Sequence, residues 1–83
     1  MEKQIENLGK RVRELEKVIE VLIIAIHKEE TTYKFYQDLA NSTEQNSRKT
    51  FITIANQELS HKNMLDMELK KLQYTLAQLK SKL

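Results

Sequence analysis

The chain has 83 residues, of which 40% are hydrophobic and 31% are charged, and its 14 basic and 12 acidic residues leave a formal net charge of +2. The two signs are interspersed, which argues against nucleic-acid binding. The longest apolar run, residues 21–26, is far shorter than the roughly 20 residues of a membrane span. Cysteine is absent, so only carboxylates and imidazoles could hold a metal. We expect a cytoplasmic protein, or one enclosed in a protein compartment.

The first predicted element is a long helix over about residues 2–41. Proline is absent and glycine occurs once, so little in this segment would interrupt a helix. Its apolar residues recur at steps of three and four, which is the spacing of one helical face. Glu30 and Lys34 are spaced as a favourable outer ion pair. The face consists of Ile5, Leu8, Val12, Leu15, Ile19, Leu22 and Ile26, and then of Glu29, Tyr33, Tyr36 and Ala40.

A turn over about residues 42–46 leads to a second predicted helix over about residues 47–82. The turn lies in the turn-like cluster of residues 41–47, which contains two Asn and two Ser, and Asn46 or Ser47 is suited to cap the second helix. Asp66 and Lys70 are spaced as another outer pair. Because the connection is short, the helices are predicted to form a single antiparallel hairpin over residues 1–83. Its second face comprises Phe51, Ile54, Glu58, His61, Leu65, Leu69, Leu72, Leu76, Leu79 and Leu83.

A single hairpin of this size cannot bury an apolar core of its own, and cross-linking by disulfides is excluded. Two hairpins packed face to face would bury both apolar stripes in a four-helix bundle. We therefore predict an all-α protein in which an antiparallel two-helix hairpin dimerises into such a bundle. Its partner would be itself, as a homodimer or a higher oligomer, with neither a nucleic acid nor a membrane as partner.

Three polar side chains occupy positions where the stripes should be apolar. Glu29 lies seven residues after Leu22 on the first stripe. Glu58 and His61 form an ExxH step, whose spacing directs a carboxylate and an imidazole at one cation. Since a buried carboxylate is costly unless it is paired or metal-bound, we predict that all three bind metal. Glu30 is rotated by about 100° from Glu29 and belongs to the edge of this face.

The charges of the predicted dimer favour two metal ions. Each chain contributes two inward carboxylates and one imidazole, so two chains contribute four carboxylates, whose charge two divalent cations would cancel. Such ligands suit iron or manganese, and zinc can occupy the same kind of site. Tyr33, Tyr36 and Glu30 are candidates for supporting contacts around the metal, with the two hydroxyls as hydrogen-bond donors.

Other interpretations of these residues stay open. An ExxH step occurs by chance in many helices, and a lone inward glutamate can set the register of a coiled coil. The same ligands could also bind a metal that only clamps the dimer and catalyses nothing. A third alternative is a coiled-coil interaction module that binds no metal.

Residues 25–69 resemble the rubrerythrin-like branch of the ferritin-like superfamily. The matching stretches are residues 25–30, 35–40 and 51–61, the last of which ends in the ExxH step of Glu58 and His61. The family pattern places a ligand glutamate seven residues before a tyrosine, which corresponds here to Glu29 and Tyr36. Members of this branch carry two such hairpins in one chain. With one hairpin, this chain looks like the encapsulated ferritins, whose iron site forms between two short chains.

The resemblance implies a ferritin-like four-helix bundle with two iron ions per dimer, held by Glu29, Glu58 and His61 of each chain. It also implies an oxidoreductase role in iron handling or in defence against oxidative stress. The di-iron centre would then act as a ferroxidase or react with peroxide. Rubredoxin-type electron transfer is not expected, because that module needs cysteines.

Overall fold

The computed structural model describes residues 1–83 and consists of two α-helices, α1 (Glu2–Ser42) and α2 (Gln45–Lys80). Thr43 and Glu44 connect them, and the helices pack side by side in a rod of 66 × 14 × 12 Å. There is no β-strand, so the predicted all-α hairpin is confirmed. Neither helix combines the length and the apolar character needed to cross a membrane.

The second helix begins earlier than predicted, and the expected caps are wrong. The Glu44 carbonyl accepts hydrogen bonds from the backbone N–H groups of Ser47 (3.1 Å) and Arg48 (2.9 Å), which makes Glu44 the N-cap. Asn46 and Ser47 therefore lie inside the first turn. Arg48 also donates from Nε to the Ala40 carbonyl oxygen at 3.0 Å and so holds the end of α1. Asn and Ser are favoured at N-caps and Glu is not, which is why local propensity places the start of the helix later.

The core of the hairpin is a narrow strip between the helices. Six side chains are buried, namely Val12, Ile19, Ile26 and Ala40 of α1 and Ala55 and Leu79 of α2. Those of α1 lie at multiples of seven residues, the repeat of a helix face in a helix pair. Apart from Leu83, the remaining leucines of the stripes are half-buried, and these are Leu8, Leu15, Leu22, Leu65, Leu69, Leu72 and Leu76. One hairpin thus leaves much of its apolar stripe in water.

The two ends of the predicted stripes are exposed. Ile5 is 63% exposed and Leu83 is 64% exposed, although the periodicity predicts both on the inner face. Lys80 lies beside Glu16, with Nζ 3.8 Å from a carboxylate oxygen, so α2 ends before it reaches the level of Ile5. Periodicity identifies the inner face of a helix but not how far the neighbouring helix extends along it.

The ion pairs also differ from those expected. Lys62 Nζ lies 3.1 Å from Asp66 and 3.7 Å from Glu30 of α1. Neither Lys34 nor Lys70 forms an ion pair, so the predicted pairs of Glu30 and Asp66 with these lysines are wrong. The hairpin fold brings Lys62 between the two carboxylates, and it pairs with both.

Candidate metal centre

The middle of the hairpin brings Glu29 of α1 together with Glu58 and His61 of α2. One ligand atom of each residue lies within 4.8 Å of the ligand atoms of the other two. Glu58 and His61 share a face of α2 because they are about one helical turn apart. Glu29 meets them because it continues the stripe through which α1 packs against α2. The structure therefore assembles the three residues that the sequence singles out, and we call them the ligand cluster.

The ligand cluster contains a buried carboxylate oxygen without a partner. Glu29 Oε2 is buried and accepts no hydrogen bond. Glu58 is half-buried and His61 is exposed, and no basic side chain forms an ion pair with any of the three. A buried carboxylate in this state is unfavourable. Since two carboxylates and an imidazole are donors that iron, manganese and zinc accept, a divalent cation fits this site.

One side of the ligand cluster is open to solvent. His61 lines a surface groove together with four uncharged polar residues of the same helix, Thr53, Asn56, Gln57 and Ser60. The buried Glu29 oxygen marks the opposite side, toward the hairpin interior. The hairpin therefore covers the cluster on one side only.

The adjacent glutamates Glu29 and Glu30 have different surroundings. Glu30 lies at the edge of the hairpin, where Lys62 Nζ is 3.7 Å from Oε1 and His27 Nδ1 is 3.8 Å from Oε2. The Glu30 side chain is 42% exposed, whereas Glu29 has a buried oxygen. Glu30 thus has a lysine as counter-charge and lies outside the ligand cluster, in line with the rotation expected from the sequence.

Lys62 is positively charged but does not neutralise the ligand cluster. The pKa of Lys62 is raised above its ordinary value, chiefly by its hydrogen bond to Asp66 and the attraction of that carboxylate. Partial loss of hydration lowers the pKa, and the carboxylate of Glu30 raises it further. Lys62 follows His61 directly, yet both of its partners lie outside the cluster. This role of Lys62 is not evident from the sequence, since the spacing to Asp66 is its only local signal.

Two tyrosines lie on α1 between the ligand cluster and the turn. Tyr33 accepts a hydrogen bond at its hydroxyl oxygen from Gln37 Nε2 at 3.0 Å. The ring of Tyr36 stacks on Phe51 of α2 with centroids 6.2 Å apart, which ties the two helices together near the turn. Neither hydroxyl is hydrogen-bonded to the cluster. A supporting role for these tyrosines at a bound metal stays a prediction.

A helical hairpin with a glutamate on one helix and a Glu-x-x-His step on the other is half of a ferritin-like metal centre. The family model described as Rubrerythrin matches residues 4–82, and the chain belongs to the rubrerythrin family. The match includes the whole ligand cluster. This family typically binds iron, so family membership and the donor set both support metal binding. No match is found among the curated proteins or among the solved structures.

Replacing Glu29 by leucine should stabilise the metal-free protein. Glu29→Leu removes the unpartnered carboxylate and adds apolar contact along the stripe, so we expect the free energy of unfolding to rise by about 1 kcal/mol. Urea denaturation in the presence of a chelator, at a fixed protein concentration, measures this change. Glu6→Leu, at an exposed position of the same helix, is the matched control and should have an effect below about 0.5 kcal/mol. A loss of stability in Glu29→Leu would contradict the expectation.

Proposed function

We propose that two copies of this hairpin pair through their ligand clusters, form a ferritin-like four-helix bundle and bind two iron ions. The observation that carries this proposal is the unpartnered buried Glu29 oxygen within a cluster of two carboxylates and an imidazole. One hairpin supplies one glutamate and one Glu-x-x-His step, which is half of the ligand set of a ferritin-like di-iron centre. A second copy would supply the other half.

Two features of the hairpin support pairing through this face. The ligand cluster is open to solvent on the side of His61. The half-buried Leu22 and Leu65 flank it along the two helices, so a second hairpin on this face would remove apolar surface from water and shield the metal. Four carboxylates from two chains carry four negative charges, which two divalent cations balance.

The chain's own residues would bind and orient the metal. Glu29 and Glu58 offer carboxylate oxygens that can chelate one cation or bridge two, and His61 offers a neutral imidazole nitrogen. The buried oxygen of Glu29 is already inside the hairpin before any metal arrives, whereas the exposed His61 and its polar groove offer ions an approach from solvent. When bound, iron supplies one-electron redox chemistry and coordination positions for dioxygen or peroxide. The activity we propose is oxidation of Fe(II), in iron handling or in defence against oxidative stress.

A second candidate function is a metal clamp that holds the dimer without catalysis. The donor set itself favours keeping this alternative, because zinc and manganese accept the same carboxylates and imidazole. Metal binding between chains would stabilise the dimer whatever the redox chemistry of the ion. The heptad spacing of Val12, Ile19 and Ile26 also fits a third candidate, a metal-free coiled-coil module.

Sedimentation equilibrium at micromolar concentration should find dimers or larger species both with and without metal. The half-buried leucines of the stripe remain apolar when the metal is removed, so they should still hold two hairpins together. Circular dichroism on the same samples checks that the helices are intact. A folded, stable monomer would contradict the pairing, and with it the shared metal centre.

The protein should bind about one divalent ion per chain, hence two per dimer. Glu58→Ala and His61→Ala should each abolish tight binding, measured by anaerobic titration and elemental analysis, because each removes one of the few donors. Glu30→Ala is the matched control for Glu29→Ala and should weaken binding much less, since Glu30 is engaged by Lys62. Equal losses in Glu29→Ala and Glu30→Ala would show that the adjacent glutamates have been assigned incorrectly.

Exposure to air separates the catalytic function from the clamp. Protein loaded anaerobically with Fe(II) should lose ferrous iron promptly once air is admitted, and a ferrous-specific chelator added at intervals measures what is left. The His61→Ala variant, at the same iron concentration, gives the rate at which ferrous iron is lost without an intact metal centre. If ferrous iron disappears no faster with the native chain than with His61→Ala, the clamp is favoured over the ferroxidase.

A further inference from the structure

A second surface of α1 is apolar although it is exposed. Residues 21–26 are apolar on all sides of the helix, which is the pattern of a helix buried all round. The hairpin nevertheless leaves Val21 64% exposed and Ile24 68% exposed. Phe35 is 58% exposed and lies close to four helical turns after Val21, on the same side. Ile24 also lines an open surface groove with His27, and both are residues of this side of α1.

This surface differs from the face that carries the ligand cluster. Successive residues of a helix are rotated by about 100°, which places Ile24 about 160° from the buried Ile26 and about 140° from Glu29. The neighbouring helix of the hairpin covers the side of Ile26, and a second hairpin on the ligand cluster would cover the side of Glu29. Neither contact covers Ile24.

We propose that this outer face of α1 binds the outer face of a second copy of the chain, in antiparallel direction and centred on Ile24. Such a contact has a twofold axis at Ile24, so two residues face each other across it when their numbers add up to 48, which is twice 24. The inference goes beyond the proposed metal-binding function, because it assigns a second interface to the same chain. The outer face consists of the exposed residues of α1 from Lys10 to Asp38 that lie within about 80° of Ile24, apart from Glu16, which pairs with Lys80. Its charged members are Lys10, Arg13, Glu14, Lys17, Glu20, Lys28, Lys34 and Asp38.

The charges of this face complement themselves in that arrangement. Glu14, Glu20 and Asp38 each meet a lysine of the second copy, and each pair occurs twice by symmetry. Arg13 lies opposite Phe35, so no two like charges of the face meet. None of these side chains forms an ion pair within its own hairpin, so all are free to pair across the contact. Ile24 meets its own counterpart at the centre. The pairs of opposite charge are Glu20 with Lys28, Glu14 with Lys34 and Asp38 with Lys10.

Neighbouring registers lose this match. A shift by one heptad in one direction sets Arg13 against Lys28, which is a repulsive pair. A shift in the other direction leaves one pair of opposite charge, Lys17 with Asp38, in place of three. The charge pattern therefore selects the register centred on Ile24, and self-complementarity of this kind identifies the occupant as a second copy.

The two interfaces would have different consequences for assembly. Each interface has twofold symmetry, so either one alone would produce a dimer. Because they use different faces of α1, one chain can form both at once. Dimers joined by metal would then be linked through their outer faces into a ring or a chain.

Cysteine cross-linking tests the contact directly, since the native chain has no cysteine. Ile24→Cys places the two thiols of a pair at the centre of the contact, where Cα atoms of facing residues can come within the disulfide range of about 4.4–6.8 Å. In Thr31→Cys, the two thiols of a pair would be about 21 Å apart along the helices. Under mild oxidation, Ile24→Cys should form disulfide-linked dimers about tenfold faster than Thr31→Cys, or more. A mixture of Thr31→Cys and Lys17→Cys, which face each other, should cross-link as fast as Ile24→Cys.

A charge swap provides the second measurement. Glu20→Lys in the Ile24→Cys chain should slow cross-linking, and the further change Lys28→Glu should restore it. The cross-linking rates should be the same when His61→Ala is added to each variant, because the outer face does not include the metal centre. This control separates failure of the outer-face contact from failure of the metal centre. Equal rates for Ile24→Cys and Thr31→Cys, absence of a disulfide-linked dimer from either, or no rescue by the charge swap would overturn the proposal.

Discussion

The carboxylate of Glu29 has one oxygen buried between two helices, and nothing within the hairpin balances its charge. Lys62, which directly follows His61, pairs with Glu30 and Asp66 instead. A cation from outside the hairpin would supply a counter-charge, and Glu29, Glu58 and His61 together form a donor set that could hold one. The rubrerythrin family match is consistent with this origin of the site.

Adjacent residues of each helix have different surroundings because successive side chains are rotated by about 100° around the helix axis. Glu29 points into the cluster, whereas Glu30 lies at the edge with a lysine as partner. His61 belongs to the cluster, and the next residue, Lys62, forms the bridge to the other helix. The positive charge of Lys62, which would repel a metal ion, is thereby held away from the carboxylate of Glu29, which would attract one. Lys62 nevertheless directly follows His61 of the cluster.

Periodicity predicts both helices and the shared face of Glu29, Glu58 and His61, because spacings within a helix are a local property of the chain. The features that differ depend on how one helix lies against the other. The exposure of Ile5 follows from where α2 ends, and the Glu30–Lys62 pair follows from the register of the hairpin. The inward carboxylates and imidazole predict a metal site, and the family resemblance adds iron as the expected metal.

The elongated shape of the hairpin also determines the order in which it can fold. Contacts beside the turn, such as that of Arg48 with Ala40, join residues eight apart, whereas Glu16 and Lys80 lie near opposite ends of the chain. Loop-closure entropy grows with that separation, so we expect the helices to pair first at the turn and then progressively toward the open ends. The halves of the ligand cluster meet midway, before the open ends close.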